Sequence, residues 1–178
     1  MRRAVWALIA LGVVAAVIVV FALGFGHNPR AIPSPLIGKS MPSFTLTTLD
    51  DAHKKISSTD LRGQVFLINI FASWCVACTD EGHNLDWLAR QGVTIYGVDY
   101  SDTRPQAKAW LVKWGNPYRQ VIFDPQGQAA VDWGIWGVPE TFVVDREGKI
   151  RRKFTGVISL QVAKTQVLPL VKRLEAGT

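Results

Sequence analysis

Val65-Phe66-Leu67-Ile68-Asn69-Ile70-Phe71-Ala72-Ser73-Trp74-Cys75-Val76-Ala77-Cys78 passes from an apolar run into two cysteines three residues apart. The run 65–72 has the length and continuity of a strand buried on both faces. From Cys75 to Gln91 the pattern turns helical, with Leu85 and Leu88 as apolar anchors and Gly92 as the stop. A buried strand that hands two cysteines to the first turn of a helix points to an α/β fold with thiol chemistry at the strand's carboxyl end.

These are the only cysteines among 178 residues. A helix that begins near Cys75 leaves its first N–H groups unpaired and aims the positive end of its dipole at the sulfur, which favours thiolate and makes Cys75 the expected nucleophile. Cys78 lies on the same helix face one turn later, so it can resolve a disulfide that Cys75 has formed with a partner. Two other uses of the pair are weaker. Structural zinc takes four Cys or His ligands, and His27, His53 and His83 have no ligand spacing, so no metal is expected. A purely structural disulfide across so short a loop removes little chain entropy. No cofactor is expected beyond a redox-active disulfide.

Upstream, Met1-Arg2-Arg3 precedes a stretch from Ala4 to Phe25 without a charge. About 20 apolar residues span a bilayer as a helix, whereas a secretory signal has a shorter apolar core, so residues 4–25 are expected to be an uncleaved anchor. Arg2 and Arg3 would keep residues 1–3 in the cytoplasm and send the rest across. A cleaved signal is the alternative, with Ala22-Leu23-Gly24 as small-residue material for a cut. Residues 26–37, with Pro29, Pro33 and Pro35, read as a semi-extended spacer, and 38–178 as one globular domain. The formal net charge is +6. Its densest basic run, Arg151-Arg152-Lys153, falls in an alternating strand pattern and reads as a solvated strand face, so nucleic acid binding has no support.

The remaining elements alternate. Phe44 to Leu49 and Val93 to Tyr100 read as strands, and Asp102 or Thr103 can cap a helix that has Pro105 in its first turn and ends at Gly115. Val121 to Phe123 and Thr141 to Val144 read as strands, with a hairpin turn at Asp145-Arg146-Glu147-Gly148 leading into Lys149 to Thr155. Ser159 can cap a last helix, which Pro169 is expected to kink. Trp87, Trp110, Trp114, Trp133 and Trp136 read as packing residues, and Asp80 and His83 as helix surface.

The segments Pro35-Leu36-Ile37-Gly38-Lys39, Asn69 to Cys75, Gly115-Asn116-Pro117-Tyr118 and Gly137-Val138-Pro139-Glu140-Thr141-Phe142 occur in that order. In them the chain resembles the membrane-anchored, thioredoxin-like proteins of cytochrome c maturation, the DsbE/CcmG family. The resemblance implies a thioredoxin-like fold, a mixed sheet flanked by helices, held in the periplasm by a single-pass inner-membrane anchor. It implies a protein-disulfide reductase that acts on the haem-attachment motif of apocytochrome c. Its expected partners are apocytochrome c, a transmembrane thiol reductant of the DsbD or CcdA type, and the haem ligation machinery. Other readings are a reductase for another periplasmic process, a peroxidase, and a non-catalytic module that binds apocytochrome. The Pro-x-x-x-Thr-x-x-Cys arrangement of peroxiredoxins is absent around Cys75.

The resemblance also assigns residues. Pro139 would be the cis proline that faces the dithiol, leaving backbone groups around Val138 free to pair with an extended substrate. Glu81, three residues after Cys78, would accept the resolving cysteine's proton, or it is an exposed acid near a helix start. Glu140 would select partners or tune Cys75, or it is solvated. Asn69 stands where ordinary thioredoxins carry a buried aspartate, which would tune the site and shift the base role toward Glu81. Trp74 would cover the dithiol and touch substrate. Val76-Ala77 departs from the family, which usually has proline after the first cysteine.

Overall fold

The computed structural model describes residues 2–24 and 34–177. Helix α1 covers Arg2–Gly24. The anchor expected over 4–25 is not upheld: among the described residues no helix is long and apolar enough to cross a membrane. The single-pass inner-membrane placement falls with it. Residues 25–33, most of the expected spacer, lie outside the described residues, as does Met1.

Beyond Pro33 the elements are β1 (Thr45–Thr48), β2 (Lys55–Ser57), a 3-10 turn (Ser58–Leu61), β3 (Phe66–Phe71), α2 (Val76–Arg90), β4 (Ile95–Tyr100), α3 (Arg104–Trp114), β5 (Gln120–Asp124), α4 (Gln128–Asp132), β6 (Glu140–Val144) and β7 (Ile150–Thr155). The chain closes with α5 (Leu160–Val162), a π turn (Ala163–Val167) and α6 (Leu168–Glu175). The strands form one sheet in the order β2-β1-β5-β4-β3-β6-β7. β3, β4 and β5 are parallel, while β6 and β7 on one side and β1 and β2 on the other run antiparallel. This is the thioredoxin-like mixed α/β fold.

Alternation along β3 sorts its side chains into two cores. Leu67 and Phe71 pack with Leu85 and Leu88 of α2, Trp110 of α3 and Val167 and Val171 of the C-terminal helices. Phe66, Ile68 and Ile70 face the other way, onto Met41, Leu61, Trp133 and Phe142. Asn69 belongs by parity to the α2 side, which brings a polar group under the dithiol helix.

Three short elements were not legible in the sequence: β2, the 3-10 turn and α4. Each is too short to show a period, and α4 is held by Asp124, whose Oδ2 accepts from Ala130 N at 3.0 Å. Pro169 sits in the first turn of α6, and the irregularity expected there appears as the π turn just before it, where the ladder adjusts to the N–H that proline lacks.

Candidate active site

Cys75 is the N-cap of α2, and its Sγ accepts a hydrogen bond from Cys78 N at 3.1 Å. The two cysteines form a disulfide, so the structure is the oxidised state, and both are buried. The loop ahead of them is held by the β4–α3 connection. Ser73 N donates to Asp102 Oδ2 at 2.7 Å, and Trp74 Nε1 donates to the Ser101 carbonyl at 3.1 Å. Ser101 takes a φ of 47°, rare for a residue other than glycine, and its own N–H is tied to Asp124 O at 3.0 Å. Trp74 is 57% exposed with its ring edge-on to Tyr100, so it lies at the surface beside Cys75.

Beneath the dithiol lies a polar knot that no part of the sequence shows whole. Asn69 Nδ2 donates to Glu81 Oε2 and to Thr141 Oγ1, each at 2.9 Å, and Asn69 Oδ1 accepts from Tyr118 OH at 2.8 Å. Glu81 Oε1 accepts from Ile158 N at 2.8 Å. Every partner is a donor without charge, so burial dominates and raises the Glu81 carboxyl from 4.5 to about 7, against the lowering effect of the Ile158 and Asn69 bonds. Glu81 is therefore not the exposed acid that the sequence left open: it is 1% exposed. Burial, then the charges of Glu81 and Asp99, push Tyr118 well above its ordinary value, so its hydroxyl stays a donor. Asp99, next along β4, is raised to about 8 by burial and then by the Asp102 carboxylate.

A close backbone approach makes the knot possible. A Cβ on Gly97 would lie 2.8 Å from the Phe71 ring and 2.9 Å from Tyr118, whose rings stack with centroids 4.9 Å apart. Glycine in mid-strand lets Tyr118 reach Asn69.

The Val138–Pro139 peptide is cis. Because β6 runs antiparallel to β3 with Glu140 opposite Ile70, residues 136–139 and 72–75 leave the same end of neighbouring strands. Pro139 O accepts from Gly156 N at 2.9 Å, while the N–H and C=O of Val138 take no partner among the described residues. Glu140 does not face solvent. It is fully buried, its Oε2 lies 2.7 Å from Lys153 Nζ, and its Oε1 accepts from Trp136 N at 3.3 Å.

Lys153 corrects the expected solvated face of residues 151–153. Arg151 and Arg152 are exposed, but the Lys153 side chain is 8% exposed. Trp136, expected to pack, is 82% exposed, and Trp114 also reaches solvent, whereas Trp110 and Trp133 are buried. Tyr118, Thr141, Lys153 and the Asp99–Asp102 pair were missed as site residues. Among the described residues no group of three or more His, Cys, Asp or Glu is placed to hold a metal ion. The redox centre is the protein's own disulfide.

The chain matches the AhpC/TSA family model over residues 37–153. It is 43% identical to the thiol:disulfide interchange protein DsbE of Allochromatium vinosum, covering 96% of this chain and 95% of that one. To the DsbE of Pseudomonas aeruginosa it is 38% identical over 98% of this chain and 96% of that one. Among solved structures, a secreted thiol-disulfide isomerase of Corynebacterium glutamicum shares the fold with a TM-score of 0.68 at 22% identity, covering 82% of this chain and 96% of that one. With a disulfide at the head of α2 and relatives of this closeness, the chain belongs to the AhpC/TSA family and to the DsbE thiol:disulfide interchange proteins, and is a thiol-disulfide oxidoreductase.

Proposed function

We propose that the protein works as a periplasmic reductant in cytochrome c maturation, opening the disulfide of the haem-attachment motif in apocytochrome c. The observation that carries the reading is the placement of Glu81, a buried carboxyl raised to about 7, one helical turn behind Cys78. A dithiol that attacks and then resolves must lose a proton from its second cysteine, and a base close to neutrality is matched to that transfer.

The cycle begins with the Cys75 thiolate, favoured by the N-terminus of α2, attacking one sulfur of the substrate disulfide. The substrate S–S bond breaks, a mixed disulfide forms, and the leaving thiolate takes up a proton. Cys78 passes its proton to the Glu81 carboxylate and attacks Cys75 Sγ. This releases the second substrate thiolate, which is then protonated, and leaves Cys75–Cys78 oxidised by two electrons. A transmembrane thiol reductant of the DsbD or CcdA type would return them. Asn69, with both amide hydrogens and its carbonyl engaged, holds Glu81 in place. The unpaired Val138 backbone beside Pro139 would receive the substrate as an added strand, with Trp74 against its flank.

The test is capture of the mixed disulfide. Reduced Cys78→Ser protein mixed with apocytochrome c carrying its Cys-x-x-Cys-His disulfide is expected to give one stable adduct, mapped by mass spectrometry to Cys75. Cys75→Ser is expected to give none, and an absence of adduct with either variant overturns the reading.

A further inference from the structure

Residues 134–139 leave the core between Trp133 and Glu140, both buried, yet they carry the most exposed tryptophan of the domain. Two buried charges bracket them. Lys153 Nζ donates to Gly134 O at 2.9 Å, where the loop begins, and lies 2.7 Å from Glu140 Oε2, where it ends. The other oxygen of Glu140 accepts from Trp136 N at 3.3 Å, in the middle. Lys153 sits over the Phe142 ring, 5.3 Å from its centroid, which leaves little room for water around the ammonium. Burying two charges is costly in itself and is weak evidence for stability, so a buried pair bonded to one loop's backbone at two points asks for another reason. The 82% exposure of Trp136 supplies one: a large apolar ring held in water by its backbone costs free energy unless something comes to cover it.

We propose that the Lys153–Glu140 ion pair is a positioning device that clamps residues 134–139 so that Trp136 stands as the aromatic contact for the peptide carrying the target disulfide. The inference rests on the reductase reading above and adds to it the residues that select an extended polypeptide. The peptide strand that pairs with Val138 passes between two exposed indoles, Trp74 from the loop after β3 and Trp136 from the loop before β6. These loops leave neighbouring strands at the same end of the sheet. Trp136 touches substrate; Lys153 and Glu140 act through it.

The experiment follows exchange between the reduced protein and a synthetic peptide with an intramolecular Cys-x-x-Cys-His disulfide, as a function of peptide concentration. Trp136→Ala is expected to raise the half-saturating peptide concentration about tenfold, the equivalent of 1.4 kcal/mol of contact, with the limiting rate within about twofold. Lys153→Met is expected to do the same, and Lys153→Arg to restore the wild-type value. If Lys153 acts through Trp136, the double variant is no worse than either single one. Additive effects, or half-saturation unchanged in Trp136→Ala, overturn the proposal. Trp136 is a surface residue, so that variant decides the matter even where Lys153→Met fails to fold, and the isosteric pair Glu140→Gln with Lys153→Met gives a second reading without an unpaired charge. A wild-type protein that does not exchange with the peptide at all sinks the reductase reading itself; one that exchanges while the variants keep its half-saturation sinks only the clamp.

Discussion

Two glutamates are buried at the dithiol end of the sheet, and the fold keeps them by opposite means. Glu81, under the α2 helix, has two neutral donors and no cation, and its carboxyl rises to about 7. Glu140, at the start of β6, has a lysine ammonium at 2.7 Å. A carboxylate held by neutral donors in a dry site is close to taking a proton, whereas one paired with an ammonium has its charge balanced and its geometry fixed. The first environment suits a group that moves protons, the second a group that holds a loop. The family resemblance places both acids near the dithiol and leaves open that either is solvated; only their neighbours tell them apart.

The difference between the two acids depends most on Lys153. Lys153→Met leaves Glu140 buried without its cation and is expected to cost about 3–5 kcal/mol in urea unfolding at neutral pH. A cost below about 1 kcal/mol, as for an exposed pair, would mean that the two acids are not different in kind.

At Glu81 the contrast is read through pH. A buried acid whose folded value exceeds its unfolded one keeps its proton longer in the native state. Its contribution is complete below about 4.5 and is lost as pH rises through about 7, a fall of about 3 kcal/mol. Asp99, raised to about 8, adds a loss over a wider window that begins near 3.8. Glu81→Gln is therefore expected to remove the part between 4.5 and 7 and leave the Asp99 part, so the variant gains on the wild type by about 3 kcal/mol between pH 4 and pH 8. Parallel curves for the two proteins would contradict the assignment.

Gly97 sharpens the picture from below. Gly97→Ala drives a methyl into the Phe71 and Tyr118 rings and is expected to cost about 1–3 kcal/mol, with loss of near-ultraviolet dichroism from Tyr118. The smallest effect is at the edge of the knot. Tyr118→Phe removes one donor to Asn69 Oδ1 and is expected to cost about 1–2 kcal/mol in thermal unfolding, the price of an unmet buried acceptor.

Much of the fold was legible because its larger elements are long enough to show a period. Residues 65–72 read as a doubly buried strand and the structure has Phe66–Phe71; the helix from Cys75 to Gln91 is Val76–Arg90 with Cys75 as cap. Of the site, local spacing reaches the C-x-x-C pair, and the family resemblance adds Asn69 and Glu81 in the strand before it and the helix after it. Tyr118, Thr141 and the Ile158 N–H arrive from three other parts of the chain, and nothing local marks them. Lys153 had no such signal. The turn at Asp145–Gly148 pairs Val144 with Ile150, a register that would set Phe142 opposite Arg152; a register shift between Val143 and Val144 brings Lys153 opposite Phe142 instead and puts Glu140 on its diagonal.

A dithiol that works as a reductant declares itself in its redox state in living cells. Cells are quenched in acid, thiols are alkylated with a reagent of known mass, and the shift on Cys75 and Cys78 is read. The pair is expected to be largely reduced although its surroundings are oxidising, because the proposed thiol donor would recharge it. A pair found fully oxidised at steady state would contradict the reductant role.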